Sequence, residues 1–388
     1  MSELSYLEKL LDGVEVEWLP LAKVCRLING RAYKQEELLS KGKYPVLRVG
    51  NFFTNQNWYY SDLELDQDKY CDNGDLLYAW SASFGPRIWH GGKSIYHYHI
   101  WKVVPDSNLI CKQFLYYLLQ WDTKALKDAH STGSTMMHIS KTTIEKRLVP
   151  IPCPDNPEKS LAIQSEIVRI LDKFTAVTAE LTAELNMRKK QYNYYRDQLL
   201  SFKEGEVEWK TLGEVAVIGT GNHDTQDAIE HGKYIFYARG REPLKLNVFD
   251  FDETAIITAG DGAGVGKVFH YAKGKYALHQ RAYRIVPNAF MNPRFVYHYI
   301  TAYFFTYIQK ASVSSSVTSL RRPMFLKFPI PVPPSEEQAH IVEILDKFDT
   351  LTNSITEGLP RKIELRQKQY EYYRDLLFSF PKPETVSN

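Results

Sequence analysis

The chain has 388 residues, 44% hydrophobic and 24% charged, with a formal net charge of +2; this is the profile of a folded globular protein with room for two or three domains. No apolar run approaches the roughly 18 residues of a membrane span, and Met1-Ser2-Glu3-Leu4-Ser5 does not open a signal peptide, so the expected compartment is cytoplasmic. The four cysteines (Cys25, Cys71, Cys111, Cys153) are widely spaced, which argues for reduced thiols and against a zinc site or a disulfide framework.

The charge is unevenly spread. Residues 22–151 hold 17 Lys and Arg against 12 Asp and Glu, residues 216–330 hold 14 against 8, and the remainder carries −9. Two basic blocks suit a polyanionic partner, although solvated surface charge gives the same count.

Residues 4–11 have the spacing of a short amphipathic helix. Gly13-Val14-Glu15-Val16-Glu17-Trp18 follows and returns as Gly205-Glu206-Val207-Glu208-Trp209. Both tryptophans are expected to be packing anchors. Block one offers strand-like runs at 44–51, 74–81 and 95–105, an aromatic helix at 114–121, a Ser/Thr-rich loop at 131–135 and a strand at 148–152. Block two answers with 234–241, 254–261, 276–287, 295–308, 312–319 and 328–334. Alternating β-branched and aromatic runs with Gly-rich turns predict a twisted mixed sheet with a few helices in each block.

A longer stretch follows each block and is repeated. Ile-Leu-Asp-Lys-Phe occurs at 170–174 and 344–348, and Gln-Tyr-X-Tyr-Tyr-Arg-Asp-X-Leu occurs at 191–199 and 369–377. Such a repeat decides the architecture. In the first copy Ile167, Leu171, Phe174, Leu181, Leu185, Tyr192, Tyr195, Leu199 and Phe202 form one helical seam. The second copy supplies Ile341, Leu345, Phe348, Ile355, Tyr370, Tyr373, Leu377 and Phe380. A 39-residue rod would be about 58 Å long, and the economical reading packs the two rods on each other. The second copy holds four extra residues near Glu357-Gly358-Leu359-Pro360, where Pro360 predicts a kink or break. Ser335-Glu336-Glu337-Gln338 fits a capping box at its start. A generic coiled coil joining two domains has the same periodicity.

Catalytic motifs are hard to find. Gly260-Asp261-Gly262-Ala263-Gly264-Val265-Gly266-Lys267 imitates a phosphate loop, but Asp261 stands where the first glycine is needed and Val268 where Ser or Thr is needed. It reads instead as a Gly-rich turn able to approach another backbone closely. His97 and His99 would share a strand face, but no third metal ligand lies near in sequence. No methyltransferase tetrapeptide, glycine-rich cofactor loop or nuclease carboxylate pair is evident. The chain reads as a binder with no catalytic residues, no metal site and no cofactor of its own.

The doubled rods, the Val-Glu-Trp openers and the Pro-rich block exits (150–157 and 329–334) resemble, over nearly the whole length, the specificity subunit of type I restriction–modification enzymes. The resemblance implies an α+β fold: two target recognition domains, each a twisted mixed sheet with a few helices, separated by two long antiparallel helices packed as a coiled coil. The expected division is 1–156 (N-terminal segment and target recognition domain 1), 157–203 (central spacer helix 1), 204–334 (target recognition domain 2), 335–380 (distal spacer helix 2) and 381–388 (C-terminal tail). It implies a split, asymmetric target in double-stranded DNA, two modification (methyltransferase) subunits and restriction (motor-nuclease) subunits as partners, with S-adenosylmethionine, ATP and Mg on those partners. DNA-binding candidates that end a strand or lie in a Gly/Ser-rich loop are Arg48, Asn51, Ser81, Ser83, Arg87, Lys93 and His138 in block one. In block two they are Arg239, Arg241, Asp261, Lys267, Gln280, Arg281, Arg321 and Arg322. Ile167, Leu171, Phe174, Tyr192, Tyr195, Leu199, Ile341, Leu345, Phe348, Tyr370, Tyr373 and Leu377 are the expected helix–helix and partner-subunit interface. The competing readings are a stand-alone DNA-modifying or DNA-cleaving enzyme with built-in recognition domains, and a coiled-coil scaffold without nucleic acid.

Overall fold

The computed structural model describes residues 6–53, 55–81, 84–130, 138–203, 205–262, 264–311 and 319–382. The first half runs α1 (Tyr6–Leu11), β1 (Val16–Pro20), α2 (Leu21–Val24), β2 (Cys25–Asn29), β3 (Tyr44–Leu47), α3 (Val49–Phe53), β4 (Tyr59–Ser61), β5 (Tyr70–Cys71), β6 (Leu76–Ala79), β7 (Gly85–Ile88), β8 (Ser94–Tyr96) and β9 (Ile100–Pro105). It closes with α4 (Lys112–His130), α5 (Lys141–Glu145), β10 (Leu148–Pro152) and the long α6 (Pro157–Leu199). The second half runs β11 (Glu208–Thr211), α7 (Leu212–Val215), β12 (Ala216–Thr220), β13 (Tyr234–Tyr237), β14 (Leu244–Leu246), β15 (Phe251–Ala259), β16 (Phe269–Leu278) and β17 (Ala282–Pro287). It ends with α8 (Pro293–Ala311), α9 (Arg322–Leu326), β18 (Pro329–Val332), α10 (Ser335–Asn353) and α11 (Leu359–Leu377). No helix among the described residues is long and apolar enough to cross a membrane.

Two compact units emerge. The first takes the described residues up to Ala179 and from Leu365 onward; the second is Glu180–Glu364. Each therefore holds one block, the head of one rod and the tail of the other. In unit one, sheets of order β2-β9-β6-β7 and β4-β3-β8-β5 carry block one, and β1 pairs antiparallel with β10. Its main core joins the α4 side chains Phe114, Leu115 and Leu118 to Ile163, Ile167 and Leu171 of α6 and to Leu377, Phe378 and Phe380. In unit two, one six-stranded sheet of order β12-β17-β15-β16-β13-β14 replaces the two smaller ones, and β11 pairs with β18. Its core joins Phe295, Ile300 and Phe304 of α8 to Ile341 and Leu345 of α10 and to Leu200. Both blocks hold a mixed sheet, because β3 runs parallel to β8 and β13 parallel to β16.

The repeated polar residues of the rods are now explained. Buried Gln164 accepts from the Cys111 N–H (2.9 Å) and donates to the Leu109 carbonyl (2.9 Å), so it clamps the start of α4. Gln338 does the same before α8, accepting from the Asn292 N–H (2.7 Å) and donating to the Phe290 (3.3 Å) and Pro333 (2.8 Å) carbonyls. The aspartate of Ile-Leu-Asp-Lys-Phe holds the same helix further along. Tyr117 donates to Asp172 (2.6 Å) in unit one. In unit two Asp346 receives Arg294 (2.5 Å) and His298 (2.6 Å).

Several expectations change. Ser335 is the first residue of α10 and not its cap. Pro334 holds the cap position without a side-chain bond, and the Gln338 amide is committed to its clamp. The break expected near Glu357–Pro360 is present, and the second rod is two 19-residue helices with residues 354–358 between them. Helix resumes at Leu359, ahead of where Pro360 led us to expect it, because a proline in the first turn loses no intrahelical bond. Gly358 lies so close to the Thr350 and Leu351 carbonyls that a side chain there would collide with them. Ile355 falls in this break and is 76% exposed, not in a seam. Run 44–51 bends from β3 into α3, and runs 95–105 and 276–287 each contain a turn, at 97–99 and 279–281. Trp18 donates to the Pro381 carbonyl (2.8 Å), whereas Trp209 is 42% exposed and only edges Tyr299. The loops at 131–135 and 312–318 lie outside the described residues.

Candidate nucleic-acid interface

Both blocks build one backbone junction. The residue after β6, Trp80, donates its N–H to the His99 carbonyl (3.0 Å) and accepts from the Ile139 N–H (3.0 Å). Its counterpart after β15, Gly260, donates to the Arg281 carbonyl (2.8 Å) and accepts from the Leu320 N–H (2.7 Å). Ser81 bridges His138 as Asp261 bridges Ser319, and Arg31 bridges His97 as His223 bridges His279. The neighbouring chain passes so close that only glycine fits at Gly30 against the Tyr96 and His97 carbonyls, and at Gly221 against the Leu278 carbonyl. In each block the turn between the two strands shows its tip, 98–99 or 280–281, while the strand residues Tyr96, Ile100, Leu278 and Ala282 are buried.

The side chains on this shared frame differ. In block one the junction is aromatic. Trp80 lies against Tyr98 (6.0 Å between ring centroids), His99 (4.8 Å), Trp101 (5.8 Å) and the exposed His138 (5.9 Å). His97 and His99 lie in the turn, not on one strand face, with ring centroids 4.9 Å apart. Burial, with His99 and Arg48 nearby, lowers the His97 pKa from 6.5 to about 4, so this ring is neutral at physiological pH. Burial, then the neighbouring His138, also lowers His99. Among the described residues no group of three or more His, Cys, Asp or Glu could hold a metal ion.

In block two the junction is charged. Asp261 receives Arg239 Nη1 (3.1 Å) and Arg281 Nη1 (3.1 Å), one on each carboxylate oxygen. Burial alone would raise Asp261, but the hydrogen bonds from Arg239 and Arg281 hold it below the ordinary carboxylate value. Gln280 donates to Asp224 (2.9 Å). His279 is 1% exposed, its Nε2 without a hydrogen bond but 3.9 Å from Asp224, and burial followed by the Arg239 charge lowers its pKa. An open cavity of about 610 Å³ adjoins the pair, lined by Arg239, Arg241, Glu242, Asp261 and Gly264 among others. Arg321 and Arg322 are exposed directly after Leu320.

The sequence candidates thus sort themselves. Arg239, Asp261, Gln280, Arg281, Arg321 and Arg322 converge on the block-two junction, with Arg241 at the cavity beside it. Lys267 sits over the Phe305 ring (4.9 Å), pointing to α8. Among the described candidates of block one, Ser81 and His138 form the junction bridge, Ser81 is 4% exposed, and Arg48 lies near His97. Asn51 is in α3, not at a strand end, and its amide donates to the Asn55 (2.9 Å) and Asn57 (2.9 Å) carbonyls, a loop-bracing role. Arg48 stacks on Tyr59 (4.3 Å), Arg87 on Phe53 (4.8 Å) and Lys93 on Tyr70 (4.3 Å), around the second sheet and α3. Ser83 lies outside the described residues. Sequence reasoning missed Trp80, Tyr98 and His99 as junction residues. Matching runs 95–105 and 276–287 from their closing prolines would have set Tyr98 beside Gln280 and His99 beside Arg281.

The rod candidates also divide. Ile167, Leu171, Ile341, Leu345 and Leu377 are buried in the unit cores with their blocks, so they are not free for a partner subunit. Tyr370 and Leu199 pack partly buried against those cores. The contacts between rods are aromatic: Phe174 stacks on Tyr373 (5.3 Å, 26°) in unit one, and Tyr195 on Phe348 (5.5 Å, 26°) with Tyr192 beside it (6.4 Å) in unit two. Matching tyrosines stay exposed in both copies: Tyr194 and Tyr372 at 62% and 65%, Tyr195 and Tyr373 at 43% and 42%.

Comparison with known proteins agrees with this doubled plan. Residues 14–188 and 204–365 each match the Type I restriction modification DNA specificity domain. The chain is 43% identical, over the full length of both proteins, to the Type I restriction enzyme EcoR124I/EcoR124II specificity subunit of Escherichia coli. It is 39% identical to the EcoprrI specificity subunit of the same organism, over 92% of this chain and 93% of that one. Its fold is similar to that of a type I restriction–modification S subunit from M. genitalium, with a TM-score of 0.61 at 16% identity over 96% of this chain and 98% of the other.

Proposed function

Because the chain belongs to the family of type I restriction–modification specificity subunits, the non-catalytic DNA-recognition components of these enzymes, we propose that it is the address of such a complex. Each block reads one half of a split, asymmetric target in double-stranded DNA. The observation that carries this reading is the paired junction, one backbone frame bearing aromatic side chains in block one and a carboxylate with two guanidiniums in block two. A common frame with different chemistry is what two different half-sites require. The recognition domains are 1–156 and 204–334, with spacer helices 157–203 and 335–380 setting the distance between half-sites.

Two modification subunits and the restriction subunits are the proposed partners, carrying S-adenosylmethionine, ATP and Mg. The matched exposed tyrosines on the two rod copies support two equivalent seats. An open groove of about 620 Å³ beside the Phe174–Tyr373 stack, lined also by Tyr6, Ile170, Val177 and Leu376, supports an apolar contact there. Arg239, Arg241, Gln280, Arg281, Arg321, Arg322 and His138 remain the DNA-facing candidates, joined by Trp80, Tyr98 and His99.

The test is single-molecule methylation sequencing of DNA from a host expressing this chain with its cognate modification subunit. The expected result is methyl-adenine in one split, asymmetric motif that disappears when this chain is deleted. Persistence of the same motif without the chain would end the address reading. Methyl transfer by the purified chain alone would instead favour a stand-alone enzyme.

A further inference from the structure

Resting on the address reading, we propose that Arg281 is a specificity-determining residue that selects guanine in the half-site read by block two, with Asp261 as its positioning residue. Arg281 stands at the tip of the β16–β17 turn, between buried Leu278 and Ala282, and its side chain is 64% exposed. Asp261 takes only Nη1 of this guanidinium. Its Nη2 and Nε edge has no protein acceptor among the described residues. That edge is a two-donor fork, the shape that matches the O6 and N7 acceptors of guanine in the major groove.

A solvated arginine would spread over many rotamers, and fixing one costs entropy. Here the carboxylate bears that role in advance. Asp261 is itself fixed by its bridge to Ser319 and by Arg239 on its other oxygen. With Asp224 held on Gln280, two carboxylates balance the two guanidiniums here, so the selection rests on the shape of the Arg281 fork and not on net charge. The tip of block one carries Tyr98 and His99, so no fork of this kind exists at the equivalent place.

A phosphate contact is the competing role for an exposed arginine, and substitution by alanine separates the two: loss of a phosphate contact weakens binding across all sequences, whereas loss of a base contact relaxes one position. Lysine keeps the charge and loses the planar fork, but its ammonium can still donate to the guanine acceptors, so it should keep part of the selectivity. Methylation sequencing would be run with Arg281→Ala, Arg281→Lys and Asp261→Asn beside the wild type, with melting temperature checked for each. Arg281→Ala should relax one G·C position, in one half of the motif only, with discrimination falling about tenfold or more, and Arg281→Lys should relax the same position less. Asp261→Asn should relax the same position less. An unchanged motif in Arg281→Ala, or binding weakened equally across sequences, would overturn the guanine assignment while the wild-type motif left the address role standing. Absence of any split motif in the wild type would instead sink the address role itself.

Discussion

The strand that leads into the reading turn is one ten-residue ribbon in block two (β16) and two short pieces in block one (β7 and β8). The same interruption divides the β15 counterpart into β5 and β6, so one six-stranded sheet becomes two four-stranded ones. The junction survives this change: Trp80 and Gly260 keep the same two backbone bonds. So does the seat on the rods, where Gln164 and Gln338 clamp the start of α4 and α8. The two blocks agree where a turn must be presented and where a block must be held, and they differ elsewhere. Sheet continuity is therefore a free variable, while the junction and the clamp are constraints.

The sharpest way to break the comparison is at the clamps. Gln164→Ala and Gln338→Ala each strand buried backbone groups at the start of a block helix, and an unsatisfied buried group costs about 1–3 kcal/mol. Each variant should lose about 2–4 kcal/mol in denaturant unfolding, with similar values for the two. A loss confined to one of them would mean that the clamps are not equivalent.

The aspartates should separate the units. Asp172 receives one neutral hydroxyl, whereas Asp346 receives Arg294 and His298, with Asp349 also near Arg294 (3.1 Å). Asp346→Asn should cost about 1–2 kcal/mol and Asp172→Asn less, because Asp346 accepts two donors, one of them a guanidinium, where Asp172 accepts a single hydroxyl. Burial opposes ionisation of Asp346, but His298 and Arg294 lower its pKa in the folded chain. Its stabilising share is therefore present at neutral pH and lost as pH falls through that lowered value. Equal losses in the two variants at pH 7 would remove this asymmetry.

These clamps show how far the sequence could be read. The doubled rods were legible because the motif recurs at full length, and the sheet-rich blocks were legible from their alternating runs. The partners of the repeated polar residues were not. Gln338 looked like part of a helix cap because capping is local in sequence, whereas its bonds to Asn292 and Phe290 come from 46 and 48 residues away. The apolar seam misled in the same way. Period 3.5 says that Ile167 and Leu171 face something, and the block core and a second helix look identical to such a count. At the junction, charged Arg239, Asp261 and Arg281 stood out as candidates, while Trp80 and Tyr98 carry no charge and were not among them.

Acid should probe block one through His97. Its folded pKa is lowered to about 4, mainly by burial, from the ordinary 6.5. The unfolded chain then takes up the proton first, so the contribution is whole above about pH 6.5 and declines as pH falls toward 4. The full shift would correspond to about 3 kcal/mol, but the ring is only half buried, and solvent screening reduces the expected fall over that window to about 1 kcal/mol; His97→Gln should flatten that part of the profile. A profile of unchanged slope in the variant would show that other groups dominate.

The smallest stability effect discriminates best between holding and reading. α5 and α9 follow the same junction strand in the two blocks. Ser140 caps α5, its hydroxyl accepting from the Thr143 N–H (3.1 Å). Arg321 occupies the same position before α9 and makes no side-chain cap. An exposed arginine at a cap is a poor choice for the helix, since Ser at such a position gains about 0.5–2 kcal/mol over a non-capping residue. Positive charge at a helix N-terminus is also unfavourable. If Arg321 serves DNA binding, Arg321→Ser should raise stability by about 0.5–1 kcal/mol and weaken DNA binding at the same time. Arg321→Ala with Arg322→Ala should weaken binding across sequences and flatten its salt dependence, by about one in log–log slope for each phosphate no longer neutralised. A serine variant that is more stable and binds DNA with the same affinity and salt slope would remove Arg321 from the interface, leaving the block-two junction to rest on Arg239 and Arg281.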